Sequence, residues 1–226
     1  MKRLVVLSGS GISAESGLRT FREMGGLWEE YDVTEVASPI AWQQNRPLVL
    51  RFYNERRKAL VEAEPNSAHL ALAKLQEKFD VQIITQNVDN LHERAGSSKV
   101  LHLHGELMKA RCTVHEEDIY ELEHWELKEG DLSKNGHQLR PHIVWFGEAV
   151  PAIEEAVPLV NTADILLVIG TSLNVYPAAG LINYTKPGAS IYVIDPGEPA
   201  GIASMDVTFI QKTATEGMKE FMNIYI

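Results

Sequence analysis

The sequence predicts an α/β fold organised on a parallel sheet, and three observations carry that prediction. Residues 4–8 form a short apolar run rich in β-branched side chains, broken by Gly9-Ser10-Gly11 and followed by a helix-compatible segment. That is the pattern of a first parallel strand, an anion-binding turn and a helix N-terminus. Apolar runs recur at 81–85, 165–169 and 190–194 with helical patterns between them, the alternation of a parallel sheet. These runs end in small or polar residues, namely Gln86-Asn87, Gly170-Thr171-Ser172 and Asp195, and open α/β sheets take ligands at that edge.

Taken in order, the opening turn matters most. Glycine there admits positive φ and lets main-chain N–H groups approach an anion, so the turn suits a pyrophosphate. A surface turn after a buried strand has the same composition, and the pattern alone does not decide. Residues 17–30 are rich in Gly and Arg and read as a loop over this turn, with Arg19 and Arg22 either facing a ligand or solvated. A helix is predicted over 47–63, with Pro47 in its first turn, apolar Val49, Phe52, Tyr53 and Leu60, and Pro65 closing it. Tyr53 and Arg56, three apart, share a face. A phenol beside a guanidinium can receive a carboxylate, and the alternative is an ordinary helix with Arg56 paired to a nearby acid.

Next come an amphipathic helix over 68–78, with Ala68, Leu72 and Leu75 on one stripe, and the strand at 81–85. Gln86, Asn87 and Asp89 stand at its carboxyl end, one of them capping a helix over 88–95. In the run 100–105, His102 and His104 alternate and point to opposite faces. His104, just before Gly105, is the candidate working histidine, and its partner serves packing. Residues 112–140 break the α/β rhythm and read as an insert with a small apolar set, Ile119, Tyr120, Leu122, Trp125 and Leu127. Cys112, His115, His124 and His137 match zinc spacings poorly, and packing explains the segment better. The sheet pattern is expected to resume at 142–146. An acidic helix follows over 151–163, then the strand at 165–169, a helix over 177–184, and the strand at 190–194 ending at Asp195, an acid suited to ribose hydroxyls. A strand at 207–210 and a helix over 215–222 finish the fold.

A chain of 226 residues, 45% hydrophobic, can bury one large domain or one domain with a small insert. Its net charge of −10 argues against nucleic acid or an anionic membrane as the main partner and suits a basic substrate tail. One cysteine, Cys112, excludes an internal disulfide and a four-cysteine zinc cluster. Met1-Lys2-Arg3 leads directly into the first strand, and no apolar run approaches membrane-spanning length, so a cytoplasmic protein without a signal peptide is expected.

Read together, the motifs resemble one family. Gly9-Ser10-Gly11-Ile12-Ser13, Gly17-Leu18-Arg19-Thr20-Phe21-Arg22, Thr85-Gln86-Asn87-Val88-Asp89 with Leu91-His92, Leu103-His104-Gly105, Val144-Trp145-Phe146-Gly147-Glu148 and Gly170-Thr171-Ser172 are similar to the ordered signatures of the sirtuins. The runs 52–57 and 177–180 look most like the bacterial CobB-type members. The resemblance implies a Rossmann-type parallel sheet with helices on both faces, formed by 1–24, 65–111 and 141–226. It also implies a small domain made of two insertions, 25–64 and 112–140.

It further implies NAD consumed as a co-substrate and an acylated lysine of a protein or peptide as partner, with a monomer expected. By likeness, Gly9, Ser10, Gly11, Ala14 and Arg22 hold the pyrophosphate side. Gln86, Asn87 and Asp89 surround the nicotinamide and its ribose. Gly170, Thr171, Ser172, Asp195 and Ala214 hold the adenosine side. His104, with Asn87 and Asp89, is the catalytic set, His104 acting as general base toward a ribose hydroxyl once the acyl oxygen has captured the ribose carbon. The products are free lysine, nicotinamide and an O-acyl-ADP-ribose. Val144, Phe146 and Gly147 belong to a stretch expected to pair with the substrate backbone.

In sirtuins with Tyr-x-x-Arg, that pair receives the carboxylate of succinyl- or malonyl-lysine, so Tyr53 and Arg56, with small Ala37, imply desuccinylase and demalonylase activity with deacetylation possible. Three departures stand out. The zinc cysteines are missing apart from Cys112, so no zinc is expected and the 119–127 apolar cluster takes over its packing role, with a flexible tip near Asn135. Asp195 stands where many relatives have Asn, and Ser10 where Ala is usual. The competing classes are mono-ADP-ribosyl transfer, a non-catalytic NAD-sensing module and, from the glycines alone, an NAD-dependent dehydrogenase.

Overall fold

The computed structural model describes residues 1–20, 31–199 and 201–225. Its elements run β1 (Arg3–Ser8), α1 (Gly11–Ala14), α2 (Val33–Val36), α3 (Pro39–Gln44), α4 (Arg46–Glu62), α5 (Ser67–Leu75), β2 (Asp80–Thr85), α6 (Leu91–Arg94) and β3 (Val100–His102). Then follow β4 (Gly105–Cys112), β5 (Ile119–Glu121), β6 (Leu139–Ile143), α7 (Ile153–Asn161), β7 (Ile165–Ile169), β8 (Ser190–Ile194), β9 (Thr208–Ile210) and α8 (Ala214–Tyr225). Six strands pair in parallel in the order β3-β2-β1-β7-β8-β9. The chain reverses its direction of travel across the sheet between β1 and β7, which opens a crevice at their carboxyl ends.

The central strands are apolar without alternation because both their faces are covered. Leu4, Val6, Ile165 and Leu167 pack with Leu72 and Leu75 of α5 and with Met218 and Phe221 of α8. Val5, Leu7, Leu166 and Val168 pack on the other face with Ala156 and Val160 of α7. This is a Rossmann-type sheet with helices on both faces.

The three remaining strands form an antiparallel sheet, β5-β4-β6, that shares a core with α2, α3 and α4. Trp42, Phe52 and Leu60 meet Leu107, Leu127 and Ile143 there, so the two insertions build one small domain. Its strands begin at Gly105 and run to Ile143, on either side of the expected 112–140 segment. Gly105 makes the corner at φ +82, and a Cβ there would overlap the His142 carbonyl.

Two expectations need correction. The apolar run 142–146 does not return to the main sheet: Leu139–Ile143 pairs with β4, and Val144 to Gly147 are not strand. Apolar composition marks burial but not which sheet does the burying, and Ile143 and Trp145 bury in the small-domain core. The 119–127 cluster is also only partly a packing unit. Leu127 is buried, but Ile119 and Trp125 are 48% and 38% exposed. A three-stranded antiparallel sheet with one face to water needs only one apolar side.

Tyr120 and Leu122 pack against the core beside Leu127, and polar contacts from α4 fasten this insertion as well. Asn54 donates to the Leu127 carbonyl (3.0 Å) and accepts from the Leu127 N–H (2.9 Å). Arg57, fully buried, donates to the Trp125 carbonyl (2.8 Å) and to Asn54 Oδ1. Cys112 Sγ accepts from the N–H groups of Val114 and His115. Among the described residues no three His, Cys, Asp or Glu side chains gather to hold a metal, and no helix is long and apolar enough to cross a membrane.

Candidate active site

A cleft of about 870 Å³ lies between the main sheet and the small domain. Its floor is the pair of turns after β1 and β7. The Gly9 and Gly11 N–H groups bond to the Ile169 and Gly170 carbonyls, and a Cβ on Gly9, Gly11 or Gly170 would strike the opposing turn. Gly170 also sits at φ +62. The two turns thus lie backbone against backbone, leaving a cradle bordered by Ser10, Thr171 and Ser172 that no side chain of the described residues fills. Gln86 joins the halves by donating to Thr171 Oγ1 (3.1 Å), and Asp195 lines the far end.

The carboxyl end of β2 supplies the polar centre. Asn87 is buried; its N–H bonds to Thr85 Oγ1 and its amide donates to Ser13 Oγ (3.2 Å). Ser13 in turn donates to Asp89 Oδ2 (3.0 Å), and Asp89 accepts the Leu91 N–H (3.2 Å). Burial pushes the Asp89 carboxyl up, opposed by those two bonds and by the charges of His102 and Arg56. Asp89 faces an adjoining hollow shared with Ser13, Asn87 and Arg56.

The two histidines of 100–105 divide as their alternation predicts. His102 sets both ring nitrogens against acceptors, the Asn87 carbonyl (2.9 Å) and Glu93 (2.8 Å). Burial opposes its charge, but Glu93 and that carbonyl outweigh it and raise the His102 pKa. His104 sets Nδ1 against the Gln86 carbonyl (3.1 Å). A carbonyl only accepts, so Nδ1 carries the proton and Nε2 is left with its lone pair on a side chain that lines the cleft. Burial lowers the His104 pKa, against the Gln86 bond, and keeps the ring neutral.

On the small-domain side, Tyr53, Arg56 and Ala37 line the same cleft. They come from α4 and the end of α2. Burial pushes the Tyr53 phenol up to about 12 and draws Arg56 down to about 10, so at neutral pH one is uncharged and the other cationic. Val144, Phe146 and Gly147 line the cleft as well. The Val144 N–H bonds to the His104 carbonyl and the Phe146 N–H to the Ala37 carbonyl, so these two donors are engaged within the protein.

Of the expected site residues, Arg22 lies outside the described residues. Ala14 and Ala214 are not on the cleft wall: Ala214 packs in the core at the start of α8. Glu15, the residue after Ala14, bonds to the Thr215 N–H and hydroxyl and so ties the first turn to α8. Sequence reasoning missed Ser13, Trp145 and the loop Asn174 to Tyr176, which lines the cleft. Ser13 and Trp145 sit inside the motifs 9–13 and 144–148, but nothing in their residue type announces a role.

A profile of the Sir2 family matches residues 9–177. The chain is 54% identical over 231 residues to an NAD-dependent protein deacylase of Bacteroides thetaiotaomicron, covering 100% of this chain and 99% of that one. A Sir2 homologue solved in complex with NAD superposes with a TM-score of 0.89 at 40% identity, covering 99% of this chain and 89% of that one. A mutant Sir2 homologue in complex with ADP-ribose gives a TM-score of 0.91 at 40% identity, covering 98% and 91%. With the sheet order, the cleft and these likenesses in agreement, the chain belongs to the Sir2 family.

Proposed function

We propose that this chain, an NAD-dependent protein deacylase, acts best on succinyl- and malonyl-lysine and releases nicotinamide and an O-acyl-ADP-ribose. The observation that carries the acyl preference is the opening of Tyr53 and Arg56 onto the cleft that His104 also lines. NAD fits the residues present: Gly9, Gly11 and Gly170 let the two turns close on one another, Ser10, Thr171 and Ser172 border the space beside them that suits a pyrophosphate, and Asp195 suits ribose hydroxyls. When bound, NAD supplies a ribose–nicotinamide bond whose cleavage leaves an electron-poor ribose carbon for the acyl oxygen.

The chain's own residues do the rest. Asn87 is held by Ser13 and Thr85 at the centre of the cleft, where a fixed amide orients a polar ligand. Asp89, which accepts from the Ser13 hydroxyl and lines the hollow adjoining the cleft, would supply negative charge on that side of the site. His104 Nε2 accepts a proton from a hydroxyl brought against it. Apolar Val88, Ile143 and Val150 line the cleft and limit water. Arg56 offers a guanidinium fork and Tyr53 a phenol to a carboxylate at the end of an acyl chain, while Ala37 leaves room for that chain.

The test measures kcat/KM with succinyl, malonyl and acetyl peptides and NAD, identifying products by mass. In Arg56→Met the succinyl value should fall about 100-fold further than the acetyl value, the scale of one bidentate charged contact. Equal losses for both acyl groups would refute the carboxylate-receptor reading.

A further inference from the structure

The Tyr53 hydroxyl has one hydrogen-bond partner among the described residues, and that partner donates to it: Trp145 Nε1 lies 3.0 Å from Tyr53 Oη. An indole N–H can only donate. The phenol is therefore an acceptor toward Trp145 and keeps its own proton for another acceptor. Both side chains are buried, 2% and 4% exposed, and both border the cleft.

Trp145 is itself held on several sides. Its main-chain N–H donates to Glu148 Oε2 (2.7 Å). The Arg140 guanidinium stacks on its ring, 3.5 Å from the centroid, while Trp42 packs at 5.8 Å. Arg140 is locked by a two-point contact with Glu148, at 2.7 and 3.0 Å, and by the Ile143 carbonyl. Arg111 adds a further bond to Glu148 (3.3 Å). A buried polar chain thus runs from β4 and β6 through Glu148 and Trp145 to Tyr53 on α4.

We propose that Trp145 is a positioning residue for acyl specificity, which fixes the Tyr53 phenol so that its proton is directed to a carboxylate in the acyl pocket. This inference rests on the reading of Tyr53 and Arg56 as a carboxylate receptor. The physical reason is orientation. A phenol without a donor at its oxygen rotates its proton freely between two in-plane directions and can itself accept, whereas one already accepting an indole N–H presents a donor. A phenol is protonated at neutral pH and burial pushes that of Tyr53 further up, so the donor is present throughout the working range. A neutral acetyl group has no anion to use it, so the effect belongs to the charged acyl groups.

The experiment measures kcat and KM for succinyl and acetyl peptides in the wild type, Trp145→Phe, Tyr53→Phe and the double variant. Trp145→Phe should raise the succinyl KM roughly tenfold more than the acetyl KM, the size of one weakened hydrogen bond to a charged group. In the Tyr53→Phe background the same change should leave the succinyl-to-acetyl ratio of kcat/KM, the ratio meant from here on, where Tyr53→Phe alone put it. Arg140→Met, which frees the ring but keeps the indole, serves if Trp145→Phe does not fold, and should lower the ratio in the same direction. An equal loss for both acyl groups, or a further drop in the ratio without the phenol, overturns the inference while leaving the receptor reading intact. If Tyr53→Phe and Arg56→Met both leave the ratio unmoved, the receptor reading fails and takes this inference with it.

Discussion

Replacing Asn54 with leucine tests how the small domain holds together. Asn54 satisfies both main-chain groups of Leu127, a residue 1% exposed, and also accepts from Arg57. Leucine has the same branched outline, is somewhat larger, and can do none of this. A buried N–H and C=O left without partners cost roughly 1–3 kcal/mol each, so the expected loss is about 3–5 kcal/mol including the weakened hold on Arg57. For a chain of this size about 1 kcal/mol moves the midpoint by roughly 2–4 °C, which puts the fall in Tm near 10 °C. Asn54→Asp keeps the acceptor for Leu127 and Arg57 and gives up only the donation to the Leu127 carbonyl, so it should lose less than half as much. Thermal melts followed by circular dichroism read the result, with a chelator expected to leave the wild-type midpoint in place. A leucine variant melting within about 2 °C of wild type would show that the clamp is not what fastens the insertion.

Two pH predictions follow from the histidines. Catalysis needs neutral His104, whose pKa burial lowers, so the acid limb of kcat/KM should lie below the ordinary histidine value of about 6.5; a limb above it would contradict the assignment. His69 is fully buried, its Nδ1 against the Asn66 N–H and its ring 5.0 Å from His92, and burial drives its pKa down to about 4. The folded chain stays unprotonated there while the unfolded chain takes a proton near pH 6.5. Stability should therefore fall as pH drops from 6.5 toward 4, by about 3 kcal/mol once the window is crossed. His92, which burial also holds neutral, adds to this fall, so His69→Gln should make that part of a Tm-against-pH curve shallower without levelling it, and an unchanged slope would refute the reasoning.

What the sequence made legible follows from how strongly each signal is tied to local physics. The strands Ile165–Ile169 and Ser190–Ile194 were readable to the residue because strands buried on both faces are unbroken apolar runs with polar ends. α4 was readable from Pro47 and its apolar spacing, and Tyr53 and Arg56 do share its cleft side. The run 142–146 misled because an apolar stretch does not name its partner strand, and only the corner at Gly105 reveals that β4 leaves the main sheet. Trp145 and Ser13 escaped notice for a related reason. Their importance lies in contacts with residues 92 and 76 positions away in the chain, and no local pattern encodes such a pair. The polar clamp of Asn54 and Arg57 was equally hidden, since two ordinary helix residues gain their role only from the carbonyls the fold delivers to them.

The account stands most directly on whether this cleft couples loss of an acyl group to breakage of NAD. Incubating the purified chain with NAD and a succinyl-lysine peptide, and following nicotinamide and the peptide by mass, should give one free nicotinamide and one O-succinyl-ADP-ribose per peptide deacylated, with formation of the free lysine and the O-succinyl-ADP-ribose lost in His104→Ala. Deacylation without nicotinamide release, or nicotinamide released at the same rate when peptide is absent, would contradict it.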